Sequence, residues 1–382
     1  MKRTTGHYQQ TTVVGEPVRA FVPAALPPAK PALPPAAYEQ QNRSAEHAIA
    51  RLAGVAGLVP SVEWLLYGAI RKEALLTSQI EGTQATLIDL FDDEAGFVVS
   101  NRDDVEEVTN YLRAFRLVRA QLAAPKGLPI CTRLLCDAHR ALLDGVRGAT
   151  KQPGELRQSQ NWIGGTRPGN AVFVPPPAHE IAALLGALES FIHAPAHPLP
   201  RLVNIALVHA QFETIHPFLD GNGRIGRLLI SALLESWGVL PEPLLFLSGY
   251  LKQHQFEYYR LLDGIRTQGD WESWVSFFLE GITVSAETAE RSVIDIATLI
   301  ATDRRNLLAS SKSGAVAYRL FELLPTMPRF NVEQVRALLD TSFPTANAAV
   351  AQLVALGIVA ETSGQRKNRS FSYERYVALL TR

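Results

Sequence analysis

The stretch that decides the fold is residues 216–227, which read His-Pro-Phe-Leu-Asp-Gly-Asn-Gly-Arg-Ile-Gly-Arg. It joins two predicted helices: the helix over 202–215 ends at His216-Pro217, and the loop 220–223 opens the next one. Glycines in that loop let backbone amides come close to a ligand. Free amides at a helix start, with the positive end of the helix dipole, form an anion site. The stretch therefore predicts a helical fold with an anion-binding turn between two helices.

The side chains of this stretch indicate chemistry on phosphate. Arg224 and Arg227 stand three positions apart, so on a helix they share one face, and guanidinium forks pair well with phosphate oxygens. Asp220 offers a hard oxygen to Mg²⁺, and His216 is a base able to take a proton from a hydroxyl group. Each residue alone is typical of a cap, a core position or a common turn. The ordered run as a whole favours attack of a hydroxyl group on a phosphate of a nucleotide.

At every fixed position the run resembles the Fic family signature, HPFx(D/E)GNGRxxR. The resemblance covers roughly residues 40–300 and implies a protein adenylyltransferase, which moves AMP from ATP to Ser, Thr or Tyr hydroxyls of target proteins and releases pyrophosphate. It implies His216 as general base and Asp220 as ligand of Mg²⁺, with Mn²⁺ as the alternative ion. Besides His216, the ATP contacts that it implies here are Gly221, Asn222, Gly223, Arg224, Ile225, Gly226 and Arg227. Related Doc-type kinases have lysine in place of Gly223, so the glycine favours nucleotidyl transfer.

A second stretch, Thr77-Ser-Gln-Ile-Glu81-Gly82, resembles the inhibitory motif of the family, (S/T)xxxE(G/N). A carboxylate from Glu81 can pair with Arg227 and take the guanidinium that the γ-phosphate of ATP needs. ATP would then bind in a pose unfit for in-line attack, so Glu81 is also an expected ATP contact. The alternatives are an ordinary exposed glutamate, or a base that orients water for the reverse reaction, removal of AMP.

Residues 161–174 contain two short apolar runs around a turn with glycine and proline, which predicts a β-hairpin. The hairpin resembles the flap of Fic proteins, which pairs with the backbone of the target like an added strand. The positions expected to bind the target are Ile163, Gly164 and Gly165. An ordinary surface hairpin is the alternative interpretation.

Two further residues, Tyr258 and Tyr259, resemble paired aromatic residues that line the adenine pocket in this family. Tyr259 is the preferred nucleotide contact. By spacing alone, both tyrosines are equally typical of a core.

The pattern predicts a mainly α protein: a Fic-type helical bundle with a β-hairpin flap, followed by a winged-helix domain. The predicted units are a Pro-rich, extended segment over 1–42, a helical region with the inhibitory helix over 43–125, the Fic catalytic core over 126–308, and the winged-helix domain over 311–382.

The last unit raises a rival function, a transcription regulator with a nucleotide-sensing Fic core. The candidate recognition helix over 345–356 contains no Arg or Lys and offers little to bases or phosphates. The predicted wing is more basic, with Arg366, Lys367 and Arg369. Docking of protein targets or homodimerisation are the alternatives to DNA binding. Intact His216 and Asp220 favour the enzyme, whose substrates would include the chain itself.

The composition of the chain bears on its binding partners and on its location in the cell. The 382 residues carry 37 Lys and Arg against 37 Asp and Glu, so charge balance gives no general attraction to nucleic acid or membrane. Cys131 and Cys136 fit no zinc or redox spacing, and two thiols in a chain of this length indicate a reducing compartment. The start lacks the apolar core of a signal peptide, and no apolar run is long enough to span a membrane. We therefore expect a cytoplasmic protein.

Overall fold

The computed structural model describes residues 3–197, 199–310, 314–365 and 368–382. Arg366 and Lys367, two residues of the predicted wing, lie outside them. The described chain is mainly α-helical, as the sequence predicts, and it contains two small antiparallel sheets. Within the described ranges, none of the helices combines the length and the apolar character needed to cross a membrane.

The chain opens with a β-hairpin formed by β1 (Gly6–Val13) and β2 (Glu16–Pro23). Its two-residue turn, Val14-Gly15, has positive φ at both positions, 49° and 81°, the geometry that matches the twist of paired strands. The N-terminal segment is thus extended, as expected, but its two strands pair with each other. The pairing was missed because a β-branched valine rarely adopts positive φ, so the turn lacks the usual Asn-Gly or Asp-Gly signal.

A helical body follows, with one helix at its centre. Every residue from Leu202 to Ile215 is buried, which is the pattern of a helix surrounded by others. The 39-residue helix near its end packs against the first helix and against this central one. The helices of the body are α1 (Glu39–Val55), α2 (Val62–Ile80), α3 (Leu87–Glu94), α4 (Arg102–Ala123), α5 (Thr132–Leu142), α6 (Ile181–Ile192), α7 (Arg201–Ile215), α8 (Asn222–Ser236), α9 (Ser248–Gln253), α10 (Gln255–Gln268) and α11 (Trp271–Ala309).

Helix α2 carries the predicted inhibitory motif. It packs against α4, α8 and α9, so its C-terminal end lies beside the start of α8. The helix ends at Glu81 because Gly82 adopts a φ of 102°, which glycine accepts at no steric cost. Glu81 is therefore the C-cap of α2, at a position fixed by packing and by a glycine.

The segment after α11 forms a small unit packed on α2 and α3. It contains a three-stranded antiparallel sheet in the order β3-β5-β4, one strand more than predicted. Arg329 pairs with Asp92 of α3 at 2.6 Å, and the Tyr376 hydroxyl donates to the Trp64 carbonyl of α2 at 3.0 Å. The winged-helix interpretation stays a prediction. The elements of the unit are α12 (Ala315–Leu323), β3 (Arg329–Asn331), α13 (Val332–Leu338), α14 (Phe343–Ala355), β4 (Ala360–Glu361), β5 (Ser370–Ser372) and α15 (Glu374–Thr381).

The flap segment, residues 161–174, folds back on itself as expected but does not form two strands. It is closed by one isolated antiparallel bridge between Ile163 and Phe173. Gly164 and Gly165 follow the bridge with φ of 67° and 73°, and a short 3₁₀ turn occupies Pro168–Asn170, so the backbone leaves the extended region at once. The predicted hairpin is thus a looser loop.

The N-terminal hairpin supports this loop from the side. The Phe21 amide of β2 donates to the Val174 carbonyl at 3.0 Å. The Glu16 carboxylate accepts from Arg167 at 2.9 Å and from the Gly169 amide at 3.0 Å. A separate small core joins the two segments, formed by Val13, Val18, Ala20 and Val174.

Candidate active site

The loop between α7 and α8 is held in shape by its own side chains. His216 caps α7 with a φ of 50°, a left-handed conformation that is uncommon for a residue other than glycine. The Asn222 side chain accepts from the Phe218 amide at 2.9 Å and donates to the Phe218 carbonyl at 2.8 Å. Asn222, predicted as an ATP contact, thus fixes the loop with its side chain and leaves only its backbone amide for a ligand.

The imidazole of His216 is set up as a base. Its Nδ1 lies 3.3 Å from the Glu213 carbonyl, an acceptor, so the proton belongs on Nδ1 and the lone pair of Nε2 stays available. Burial, and then the cation of Arg157, lower the pKa of His216 to about 4. The ring is therefore neutral at neutral pH and can accept a proton.

Arg157, which the sequence analysis did not single out, connects the loop with the flap. Its guanidinium donates to the carbonyls of His216 at 2.9 Å, Ser159 at 3.2 Å and Pro176 at 2.6 Å. It is 2% exposed and bound to carbonyls only, so burial lowers its pKa to about 10. The Asn161 side chain adds a bond to the Phe218 carbonyl at 3.2 Å. The base of the flap and the catalytic loop are therefore one connected structure.

His139 of α5 is a second supporting residue that the sequence did not reveal. Its Nδ1 accepts from the Gly154 amide at 2.9 Å, so Nε2 carries the proton and donates to the Asp220 carbonyl at 3.0 Å. Its ring stacks on Phe218 with 3.9 Å between centroids. Burial lowers the pKa of His139 to about 4, so the ring is neutral. It orients the loop without contributing charge.

The start of α8 presents backbone amides beside the Glu81 carboxylate. Gly221 is its N-cap with a φ of 75°, and in the described residues no side chain caps this helix. A Cβ on Gly223 would lie 2.5 Å from Oε1 of Glu81, so only glycine fits while that carboxylate is present. The Asp220 side chain is 42% exposed, and its Oδ1 accepts from the Gly221 amide at 2.6 Å.

A metal site made of protein groups alone is not found in the described ranges, where no three His, Cys, Asp or Glu side chains converge. Asp220 is a single accessible carboxylate next to the helix start. This fits Mg²⁺, which is commonly held by one or two carboxylates together with substrate phosphates.

Arg224 is a buried cation near the start of α8. Its side chain is 3% exposed, and its Nε and Nη1 have no hydrogen-bond partner among the described residues. The nearest carboxylate, Glu107 of α4, lies 3.6 Å from Nη1 and is already bonded to Arg147 at 3.1 Å. Buried donors without partners cost on the order of 1–3 kcal/mol each. An incoming anion would remove that cost.

Arg227 is bound to the end of α2 through two of its three guanidinium nitrogens. Its Nε donates to Thr77 Oγ1 at 2.6 Å, and its Nη2 donates to the Thr77 carbonyl at 3.1 Å and to Glu81 Oε1 at 2.5 Å. Burial raises the pKa of Glu81, but the charge of Arg227 and its hydrogen bond more than offset this, and the net shift is downward. Glu81 is thus an anion at neutral pH, held against Arg227 beside the start of α8.

The other predicted residues fall into two groups. Ile225 is fully buried, and Gly226 packs on α7, where a Cβ would lie 2.3 Å from Oε1 of Glu213. Tyr258 is 1% exposed and its hydroxyl bonds to His209 at 2.9 Å, so it supports the core. Tyr259 is 46% exposed, and of the two tyrosines it is the one accessible to a nucleotide.

Comparisons with known proteins match two parts of the chain to described families. Residues 40–119 match the family described as Fic/DOC family N-terminal, and residues 129–234 match the Fic/DOC family. A protein adenylyltransferase Fic from Drosophila willistoni is 30% identical over 182 residues, 47% of this chain and 32% of the relative. The one from Culex quinquefasciatus gives the same figures. The chain spans about a third of the length of these curated relatives.

Solved structures share the fold. A Fic family protein from Desulfovibrio desulfuricans G20 is 20% identical with a TM-score of 0.52, covering 86% of this chain and 95% of that one. A Fic domain containing signaling protein from Bacteroides thetaiotaomicron is 20% identical with a TM-score of 0.53, covering 66% of this chain and 97% of that one.

Proposed function

We propose that this chain, which carries a Fic N-terminal region over residues 40–119 and a Fic domain over 129–234, transfers AMP from ATP to hydroxyl groups of target proteins. The curated relatives, named protein adenylyltransferase Fic, support a transferase that uses ATP. The observation that carries the proposal is the set of groups around the start of α8: the neutral His216, the accessible Asp220 and the unpaired donors of buried Arg224.

The reaction follows from these groups. Nε2 of His216 takes the proton of a Ser, Thr or Tyr hydroxyl, and the oxygen attacks the α-phosphorus of ATP. A new P–O bond forms, the bond to the β-phosphate breaks, and pyrophosphate leaves. The amides at the start of α8 and the Arg224 guanidinium bind the phosphate oxygens. Asp220 would hold Mg²⁺, which neutralises phosphate charge when bound.

In the same proposal, the bond between Glu81 and Arg227 is a brake. Arg227 lies one helical turn after Gly223 on α8, so its guanidinium suits the γ-phosphate. While it is bound to Thr77 and Glu81, that contact is unavailable, and the carboxylate repels the phosphate. The resting protein is therefore a weak enzyme. Withdrawal of Glu81 would activate it.

The flap provides the target site of the proposal. Ile163 closes the neck of the flap loop, and Gly164 and Gly165 follow it. The base of the loop is joined to the loop between α7 and α8 through Arg157 and Asn161. A target segment that binds the backbone beyond Ile163 would be held close to the loop that carries His216. Nothing in the described tail favours the rival transcription regulator, since Arg369 is already bonded to Asn347 of α14 at 2.7 Å.

The position of a radioactive label tests the reaction. We expect the Glu81→Gly protein to modify itself when incubated with ATP labelled at the α-phosphate, and to stay unlabelled with ATP labelled at the γ-phosphate. Adding His216→Ala should abolish the signal. Labelling from γ-labelled ATP would instead indicate phosphorylation, and labelling that survives His216→Ala would contradict the proposed base.

A further inference from the structure

A cavity of about 390 Å³ lies beside α2, away from the nucleotide site. It is enclosed by α2, α9, α11 and the C-terminal residues 379–382. Its volume is in the range of small-molecule sites, and apolar side chains form most of its wall. The apolar side chains of the wall include Leu65, Leu76, Phe246, Val284 and Leu380.

Two neighbouring charged residues of α2 border this cavity, and they differ in their partners. The Glu73 carboxylate is satisfied, because it accepts from the Ser248 hydroxyl at 2.5 Å and from the Ser248 amide at 3.3 Å. Lys72 forms no hydrogen bond or ion pair with any residue that the structure describes, and burial alone lowers its pKa. A half-buried ammonium against an apolar wall attracts an anion with an apolar body.

We propose that this cavity binds an amphipathic carboxylate, with its acid group on Lys72 and its chain among Leu65, Leu76 and Val284. At the ~30 Å³ that a water molecule occupies in the liquid, the cavity holds roughly a dozen heavy atoms. A saturated medium-chain fatty acid such as decanoate has this size and charge.

The site is linked to the brake through one helix, and this step rests on the proposed function. Lys72 and Glu73 lie one turn before Thr77 on α2, and Thr77 and Glu81 hold Arg227. The cavity exists in the conformation in which Glu81 is bound. Withdrawal of Glu81 by a shift of α2 would move the part of the wall that Lys72 and Glu73 form, so a ligand that fits the cavity as it stands favours the conformation in which Glu81 is bound. Decanoate therefore lowers the activity of the wild-type protein.

Calorimetric titration of the full chain with decanoate, below its micelle concentration, tests the site without any activity. We expect saturable binding that weakens at least 10-fold in Lys72→Met and stays unchanged in Lys126→Gln, a control at an exposed lysine on the surface. Gly249→Met should abolish it, because a Cβ at Gly249 meets only Leu76 at an ordinary 3.5 Å and a longer side chain fills the cavity. Decanol, which lacks the charge, should bind more weakly than decanoate.

Equal decanoate affinities of wild type and Lys72→Met, or no saturable binding by the wild type, would overturn the site. The link to the brake has a separate readout: decanoate should lower self-labelling by the wild type and leave Glu81→Gly, which has no brake, unaffected. Equal inhibition of both proteins would refute the link and leave the binding result standing. If the proposed AMP transfer itself fails, the calorimetric result is unchanged.

Discussion

The Arg227 guanidinium donates to the Glu81 carboxylate at 2.5 Å, and the two side chains differ sharply in burial: 2% of Arg227 is exposed, against 34% of Glu81. Arg227 belongs to a buried helix and cannot move without disturbing the core. Glu81 caps the exposed end of α2 and can withdraw when that helix shifts. The moving part of the proposed brake is therefore Glu81, and anything that acts on the end of α2 acts on the site.

Thr77→Val should release the brake in part. It removes the hydroxyl that accepts from Arg227 Nε at 2.6 Å but keeps the shape of the side chain and the backbone carbonyl. A hydrogen bond to a charged group contributes about 1.5–3 kcal/mol, so we expect self-labelling to rise about 10-fold, less than in Glu81→Gly. Ser78→Ala is the matched control, because the Ser78 hydroxyl is buried and has no partner among the described residues. An effect of Ser78→Ala equal to that of Thr77→Val would point to general loosening of α2.

Arg224→Met should weaken ATP binding without harming the fold. The guanidinium is buried, and its Nε and Nη1 have no hydrogen-bond partner among the described residues, so its replacement by an apolar side chain relieves a cost in the free protein. In the Glu81→Gly background we expect at least 10-fold weaker ATP affinity by calorimetry and an unchanged or higher melting temperature. Arg116→Met, at an exposed arginine of α4, should alter neither quantity. A lower melting temperature with unchanged ATP affinity would assign Arg224 to structure.

Arg157→Lys should impair the chemical step and spare nucleotide binding. Lysine keeps the charge but cannot reach the three carbonyls that the guanidinium joins, one of them on His216. We expect the turnover rate of the Glu81→Gly protein to fall about 10- to 100-fold, with the KM for ATP nearly unchanged. The two constants come from initial rates over a range of ATP concentrations. A rise in KM alone would mean that Arg157 contributes to the nucleotide site.

Glu213→Gln should stabilise the protein in a pH-dependent way. Burial raises the pKa of Glu213 to about 7, despite the opposing charge of Arg227, and its Oε1 has no partner in the described chain. Because the folded state binds this proton more tightly than the unfolded state, stability falls as pH rises from about 4.5 to 7. At pH 8 the free energy of unfolding of the glutamine variant should exceed that of the wild type by on the order of 3 kcal/mol. Near pH 4.5 the two proteins should be equally stable. Urea unfolding of both proteins at several pH values measures this difference in stability. A difference that does not change with pH would contradict the prediction.

The loop between α7 and α8 could be predicted because its residues are contiguous. Residues 216–227 contain both the helix boundaries and the groups that would bind phosphate, so spacing alone places them together. The bond between Glu81 and Arg227 spans 146 positions and could be expected only through the family motif. The helical class followed from periodicity, which is strong in long segments.

The supporting residues could not be predicted, for a physical reason. Arg157 and His139 act on backbone carbonyls, and every residue has one, so the sequence contains no sign of the partner. The flap was overestimated because alternating apolar residues predict strands, whereas Gly164 and Gly165 turn the chain after a single bridge. Tyr258 and Tyr259 look alike in sequence, and only packing separates the buried ring from the accessible one.

The N-terminal hairpin supports the loop proposed to hold a target but contains no group proposed to react. Residues 6–23 contain none of the groups assigned to bond making, yet they support the loop on which a target would lie, through Glu16 and Phe21. Under the proposed function, removal of residues 1–23 would take away this support without removing His216, Asp220 or Arg224. The N-terminal hairpin would then influence which target is held, and the groups at the start of α8 would influence how fast a bound hydroxyl group reacts.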